Sequence, residues 1–111
     1  MRPGEIYRLR TDGRPVIIVS REELNRGDNV VAVPVTSRHF ERRRTRPNCV
    51  PFQAGQFGFT ENCVAQAENI SFIEKIELDL DNPPQATLDD VTMLELIHAI
   101  GYTIASQCEP D

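Results

Sequence analysis

Two short apolar runs of this 111-residue chain end beside side chains that can bind an anion. Arg14 stands at the start of the first run, Pro15–Val19. Thr36 and Ser37 follow the second run, Val30–Val35. A planar guanidinium suits bidentate contact with phosphate, and hydroxyl groups can donate hydrogen bonds to phosphate oxygens. Because such β-branched runs predict buried strands, we expect a phosphate-handling site at the ends of two strands.

Each of these residues also has an ordinary structural explanation. An arginine in a turn before a strand is commonly a surface residue, and hydroxyls at strand ends commonly satisfy nearby backbone groups. Arg14 lies between Gly13 and Pro15, and this turn favours a fixed presentation of its guanidinium. Arg14 is therefore the strongest candidate for binding phosphate. Beside it, the hydroxyls of Thr36 and Ser37 could donate hydrogen bonds to a phosphate oxygen.

A basic segment follows the second run directly and predicts contact with a polyanion. The net charge is −5, but residues 1–50 carry +5 and residues 51–111 carry −10. Local field rather than net charge steers an anionic ligand, so the basic half could hold RNA while the acidic half faces solvent or a basic partner. Without an apolar period, residues 38–48 are predicted to form a polar loop, which either tracks RNA backbone or is a solvated charge run. Its five arginines are Arg38, Arg42, Arg43, Arg44 and Arg46.

The order of elements predicts a mainly β (α+β) protein, a small and strongly bent sheet or barrel with a C-terminal amphipathic helix. A capping box of Thr87 and Asp90 is predicted to start that helix. Its apolar stripe at helical spacing comprises Val91, Leu94, Ile97, Ile100 and Ile104. The predicted strands cover residues 5–10, 15–19, 30–35, 49–52 and 63–67, and Pro34 implies an edge or a bulge.

Composition and length limit the class of protein. The chain is expected to be one domain, residues 1–111, with no membrane partner, because no run approaches the about 18 apolar residues of a membrane span. No signal peptide is evident, so a cytoplasmic location is expected. The cysteines Cys49, Cys63 and Cys108 fit neither a disulfide framework nor a zinc pattern, and inert thiols are favoured over a catalytic one. No metal or other cofactor is expected.

Three further polar residues are candidates for chemistry. Glu68 stands in an otherwise apolar or amide stretch, and since buried carboxylates are rare unless paired, an arginine partner is predicted. His98 is expected to be structural. His39 stands among arginines that oppose its protonation, so it is a weak candidate for a base.

Four motifs, in order along the chain, resemble those of the MazF/PemK toxins, the growth-inhibiting ribonucleases of type II toxin–antitoxin pairs. Ser71 stands where an arginine is usual in that family. The matching segments are Met1–Tyr7, Gly13–Ser20 followed by Asn25, Val33–Ser37 and Gly58–Ala65.

The resemblance implies an SH3-like barrel with a C-terminal helix, a homodimer with single-stranded RNA crossing the dimer face, and a cognate antitoxin as partner. It implies metal-independent cleavage in which the ribose 2′-OH attacks the adjacent phosphate, leaving a 2′,3′-cyclic phosphate and a 5′-OH. Arg14 and Thr36 match the family's catalytic arginine and threonine, and Glu68 falls at its acidic position. Ser37 and the arginines from Arg38 to Arg46 are then expected to bind RNA.

Two alternatives remain open at the level of sequence. A toxin of the same fold could bind a protein target such as DNA gyrase, as the CcdB relatives do, without any enzymatic activity. A degenerate homologue could bind only its antitoxin. The presence of both Arg14 and Thr36 favours the enzyme, since a pure protein binder has no need of that pair.

Overall fold

The computed structural model describes residues 1–105. In this part of the chain seven strands form one curled sheet, and the second of two helices covers it. Cys108 lies outside the described residues. The predicted bent antiparallel sheet with a terminal helix is confirmed. The strands are β1 (Glu5–Arg8), β2 (Pro15–Ile18), β3 (Asn29–Thr36), β4 (Cys49–Phe52), β5 (Cys63–Gln66), β6 (Ser71–Glu74) and β7 (Ala86–Thr87), and the helices are α1 (Phe40–Arg43) and α2 (Asp90–Ala105).

The long strand β3 is the centre of the sheet. β2 pairs with one edge of β3, while β6 and β5 share the other edge in succession. The ladder to β6 ends at Ala32, and the ladder to β5 begins at Val35. Pro34 lies between them, so its missing N–H falls at a local gap in that edge rather than at a bulge. β5 also pairs with β4, so the sheet continues through β5 and β4 beyond this gap.

The two apolar runs contain no alternating polar residues because β2 and β3 are buried on both faces of the sheet. Ile17 and Val33 pack into the larger core beneath α2, whereas Val16, Ile18 and Ala32 pack into a second, smaller core. A strand exposed on one face would alternate polar and apolar residues, and these two strands do not. The double burial fixes the backbone that carries the strand ends.

A buried polar network closes the other end of β2. The Ser20 hydroxyl donates to the side-chain oxygen of Asn25 and accepts the Val31 N–H at 2.9 Å. The Asn25 amide donates to the carbonyls of Ser20, at 2.8 Å, and Met1, at 3.1 Å. The Asn25 that follows the second family motif therefore has a structural role, which is to join the N-terminus to the strand end.

The start of α2 differs from the prediction. Asp89, not Thr87, caps the helix, and its carboxylate accepts the Thr92 N–H at 2.8 Å. The hydrogen bonds from Thr92 lower the pKa of Asp89. Thr87 belongs to β7, whose pairing with β1 holds it in extended conformation. The tertiary pairing therefore shifts the helix cap by two residues, from Thr87 to Asp89.

The apolar stripe of α2 also lies on an unexpected side. Leu96 and Ala99 face the core and are buried. Val91, Leu94, Ile97 and Ile104, four of the five residues in the predicted stripe, point away from the sheet and are 50 to 68% exposed. The helix is apolar on two sides, one of which nothing in the described monomer covers.

Candidate active site

A hydrogen-bonded turn presents Arg14 at the end of β2. The N–H of Leu9 donates to the Arg14 carbonyl at 3.0 Å, and the Asp12 carboxylate accepts the Arg14 N–H at 2.9 Å. Gly13 has a φ of +71°, which disfavours other residues there. Arg8 donates from its guanidinium to the Gly13 carbonyl at 2.9 Å. The backbone around Arg14 is thus fixed while its side chain stays exposed.

The strand register brings Arg14 beside Thr36. Val16 pairs with Pro34 in the antiparallel ladder of β2 and β3. Two further steps along the same register place position 14 opposite position 36. The Thr36 side-chain oxygen accepts the Arg38 N–H at 3.2 Å, so its own O–H remains free to donate.

A cavity of about 370 Å³ opens where these strand ends meet. It brings together four of the predicted site residues: Arg14, Thr36, Ser37 and Arg38. Sequence reasoning did not place the other polar residues on its walls, some of which neighbour Arg14 in the β1–β2 hairpin while the rest precede or begin β5. These are Arg8, Asp12, Thr60, Glu61 and Cys63.

The charges around the cavity favour an anion. Three arginines line it, against the carboxylates of Asp12 and Glu61. Within residues 1–105 the guanidinium of Arg14 forms no ion pair. A guanidinium without an ion pair, beside hydroxyl groups that can donate, is suited to stabilise charge that develops on phosphate oxygens.

The thiol at this site is unreactive. Burial raises the pKa of Cys63 to about 11, and the negative charge of Glu61 adds to the shift. Burial likewise raises the pKa of Cys49, with a further contribution from Glu68. Both thiols are buried and unbonded, which confirms the interpretation of inert cysteines for these two positions.

Glu68 does not share this cavity. It lies half-buried in the 3₁₀ turn Ala67–Asn69, where its carboxylate accepts a long contact of 4.0 Å from the Cys49 thiol. The predicted arginine partner was wrong, since no arginine forms an ion pair with Glu68 in the described chain. Glu68 instead lines a neighbouring groove of about 640 Å³, which it shares with Arg14.

The arginine-rich segment is partly helical rather than a loop throughout. α1 forms within it, and Arg44 pairs with Glu41 one turn away at 3.0 Å. Arg43 folds back and donates to the Arg38 carbonyl at 3.3 Å. Of the five arginines, Arg38 reaches the cavity, while Arg42 and Arg46 are exposed and form no ion pair among residues 1–105.

Neither histidine lines the cavity. His39 begins α1 in the left-handed region with a φ of 56°, and its side chain is exposed. His98 is exposed on α2. Over residues 1–105, no group of three or more potential ligands is arranged to hold a metal ion. No helix in the same range is both long and apolar enough to cross a bilayer.

Comparison with known proteins places this architecture among toxins. The sequence model of the family described as PemK-like, MazF-like toxin of type II toxin–antitoxin system matches residues 3–103. The structure is similar to an endoribonuclease in complex with its cognate antitoxin from a mycobacterial species, with 26% identity, a TM-score of 0.76 and coverage of 96% of each chain. No protein of curated function matches the sequence significantly.

Two further solved structures show the same likeness. An endoribonuclease from a mycobacterial species is 26% identical, with a TM-score of 0.75 over 94% of this chain and 90% of that one. The Mycobacterium tuberculosis toxin MazF-mt6 is 26% identical, with a TM-score of 0.72 over 92% of this chain and 95% of that one.

Proposed function

This chain belongs to the PemK-like, MazF-like toxin family of type II toxin–antitoxin systems, and on that premise we propose that it is a metal-independent endoribonuclease that cleaves single-stranded RNA. The observation that carries the proposal is the meeting of Arg14 and Thr36 at one cavity, with a guanidinium free of ion pairs within the described chain. The proposed substrate, mRNA, places the site of action in the cytoplasm.

The proposed reaction is an in-line transfer. The 2′ oxygen of a ribose forms a bond to the adjacent phosphorus as the bond from phosphorus to the 5′ oxygen breaks, which gives a 2′,3′-cyclic phosphate and a 5′-OH. Negative charge grows on the two non-bridging oxygens. The fork of Arg14 binds those oxygens, and the hydroxyls of Thr36 and Ser37 donate to them.

Glu68 is proposed to act on the substrate from the neighbouring groove. Because that groove and the cavity share Arg14, a nucleotide next to the scissile phosphate would lie against the Glu68 carboxylate. A carboxylate accepts hydrogen bonds from the amino groups of bases. Glu68 would therefore hold the flanking nucleotide while Arg14 holds the phosphate.

The activity is tested by incubating the purified protein with long unstructured RNA in the presence of EDTA. New 5′-OH ends are expected, because Arg14 and Thr36 supply the stabilisation of charge that a metal would otherwise provide. Absence of new ends at every sequence would leave a toxin that binds a protein target, or one that binds only its antitoxin.

The arginine-rich segment is proposed to bind RNA backbone through Arg38, Arg42 and Arg46, with Arg43 and Arg44 stabilising α1. Replacing both Arg42 and Arg46 with Gln is expected to lower the slope of log Kd against log salt concentration by about 1.4 units, since each contact with single-stranded RNA contributes about 0.7. Fluorescence anisotropy with 2′-O-methyl RNA, which cannot undergo the attack, measures this slope.

The matched control replaces Arg2 and Arg26 with Gln, which removes the same charge. Arg26 precedes β3, whose eight residues place it about 23 Å from Thr36. Arg2 pairs with Glu22 at 3.0 Å near the same end of the sheet. This control is expected to leave the slope unchanged. Equal slopes for the two double variants would mean that α1 and its flanks are a solvated surface.

The protein is further proposed to work as a homodimer through the outward face of α2. A helix that is apolar on both sides is typical of a buried helix, and only one side of α2 is covered in the monomer. Leu24 and an apolar groove lined by Val19, Val31, Ile70 and Ile100 continue this face. Stable partners bury about 800 Å² each.

A cognate antitoxin is proposed as the second protein partner. The cavity and its arginines attract an acidic or amphipathic segment as readily as RNA, so both ligands compete for the same surface. The acidic half of the chain does not lie wholly away from this surface, since Glu61 lines the cavity and Glu68 and Glu77 line the neighbouring groove.

A further inference from the structure

The proposed reaction needs a proton acceptor that Arg14 and Thr36 do not supply. The 2′-OH must lose its proton as it attacks. The guanidinium of Arg14 stays protonated in proteins and has no acceptor. The neutral Thr36 hydroxyl is a very weak base, and in the proposed reaction it donates its own proton in a hydrogen bond to phosphate. This inference rests on the proposed function and asks which other group of the cavity takes the proton.

Two carboxylates line the cavity, and their surroundings differ. Asp12 accepts the backbone N–H of Arg14 at 2.9 Å and so belongs to the turn that presents that residue. Glu61 is exposed and has no hydrogen bond or ion pair with any group in residues 1–105. Glu61 is therefore the carboxylate whose oxygens remain available to a ligand.

The sheet places Glu61 across the cavity from Arg14. β2 and β5 flank opposite edges of β3, and Thr36 pairs with Val64 on the β5 side. Arg14 therefore approaches from one edge and Glu61 from the other, with Thr36 between them. Two strand spacings separate these edges by about 10 Å between backbones, which leaves room for a ribose and its phosphate.

The surroundings of Glu61 agree with this placement. Glu61 lies in the bend that leads into β5 and forms part of the cavity wall. Cys63 is buried and lines the cavity. The Glu61 charge contributes to the raised pKa of the Cys63 thiol, as expected if the carboxylate lies close to the cavity wall.

We propose that Glu61 is the proton acceptor for the 2′-OH of the ribose held between Arg14 and Thr36. The O2′–H bond breaks, its electron pair forms the bond from O2′ to phosphorus, and the proton stays on the Glu61 carboxyl group. The bond from phosphorus to the 5′ oxygen breaks, and the leaving oxygen takes a proton from water. Glu61 then returns its proton to solvent.

The test compares Glu61→Gln with the wild type in single-turnover cleavage of RNA from pH 4 to pH 9. Loss of a general base lowers the rate by about 100-fold or more. The wild-type rate should fall toward acid pH as the acceptor becomes protonated, and this acid limb should disappear in Glu61→Gln. The other titratable or charged groups that line the cavity are Arg8, Asp12, Arg14, Arg38 and Cys63.

Two controls separate catalysis from binding and from general charge effects. Binding of 2′-O-methyl RNA by Glu61→Gln should stay within about twofold of the wild type, since the lost group acts on a proton that this RNA lacks. Glu68→Gln, in the neighbouring groove, should keep the acid limb. Glu23→Gln removes the same charge at the far end of β3 and should leave the rate unchanged.

Three outcomes would overturn the inference. An unchanged rate and acid limb in Glu61→Gln would exclude Glu61 while leaving the proposed function intact. A loss confined to binding, with the acid limb retained, would make Glu61 an RNA contact instead of a base. Failure of the wild-type protein to cleave any RNA would remove the proposed function and this inference with it.

Discussion

Replacing Arg14 with alanine is expected to lower the rate of RNA cleavage by about 100- to 1000-fold, which corresponds to the loss of one preorganised donor at a transition state. In the proposed reaction this change removes the guanidinium fork that binds the non-bridging oxygens as they gain charge. Single-turnover cleavage measures the loss, and growth arrest on expression reports it in cells. Thr36→Ala should act in the same direction but less severely, because a neutral donor contributes less than a charged one.

The fold should survive the Arg14→Ala change. The Arg14 side chain is exposed, and the turn is held by backbone groups together with Asp12 and Arg8. The melting temperature is therefore expected to stay close to that of the wild type. Arg14→Lys keeps the charge without the planar fork and should recover only part of the rate. A folded Arg14→Ala protein that cleaves RNA at the wild-type rate would contradict the assignment.

Placing glutamate at Leu94 or Ile97 is expected to convert the proposed homodimer into a monomer. Each side chain is at least half exposed in the monomer, at 57% and 50%, and would be buried against the partner subunit. An unpaired carboxylate in an apolar interface weakens association by about 100-fold or more, and it occurs twice in a symmetric dimer. Sedimentation velocity at micromolar concentration measures the change.

The control for this prediction is Ile76→Glu. Ile76 is 75% exposed in the turn after β6, so the same chemical change is made on an apolar residue away from α2. This variant should remain dimeric. A wild-type protein that is monomeric at micromolar concentration, or a Leu94→Glu protein that still dimerises, would overturn the proposed interface. If the wild-type protein is monomeric and Leu94→Glu abolishes its binding to the antitoxin, the outward face of α2 is the antitoxin site.

The strand ends were predictable because the signal for them is local. β-Branched runs buried on both faces have few other possible conformations, so the sequence places Arg14 and Thr36 at strand ends. The cavity that joins them depends on which strands pair. That pairing follows from contacts between segments far apart in sequence, which residue periodicity does not encode.

The features that sequence reasoning missed share this dependence on distant contacts. In the sequence nothing distinguishes Glu61 from other loop carboxylates. It comes to the cavity because β5, which follows it, pairs with the end of β3. Apolar residues recur at helical spacing on two faces of α2, so the sequence does not tell which face is buried. The position of β4 and of the Ala67–Asn69 turn decides that the face with Leu96 points inward. Glu68 was expected beside an arginine, but the bend between β5 and β6 carries it into the adjacent groove.

The chemistry of the cleaved ends tests the proposed 2′-OH attack. An RNA oligonucleotide containing a cleavage site is incubated with the protein in EDTA beside a copy that carries one 2′-deoxyribose at that site, and the products are identified by mass spectrometry. The expected result is a 2′,3′-cyclic phosphate and a 5′-OH from the all-ribose strand, and no cleavage of the deoxy linkage. Cleavage at the deoxy linkage, or 5′-phosphate ends, would contradict the proposed reaction.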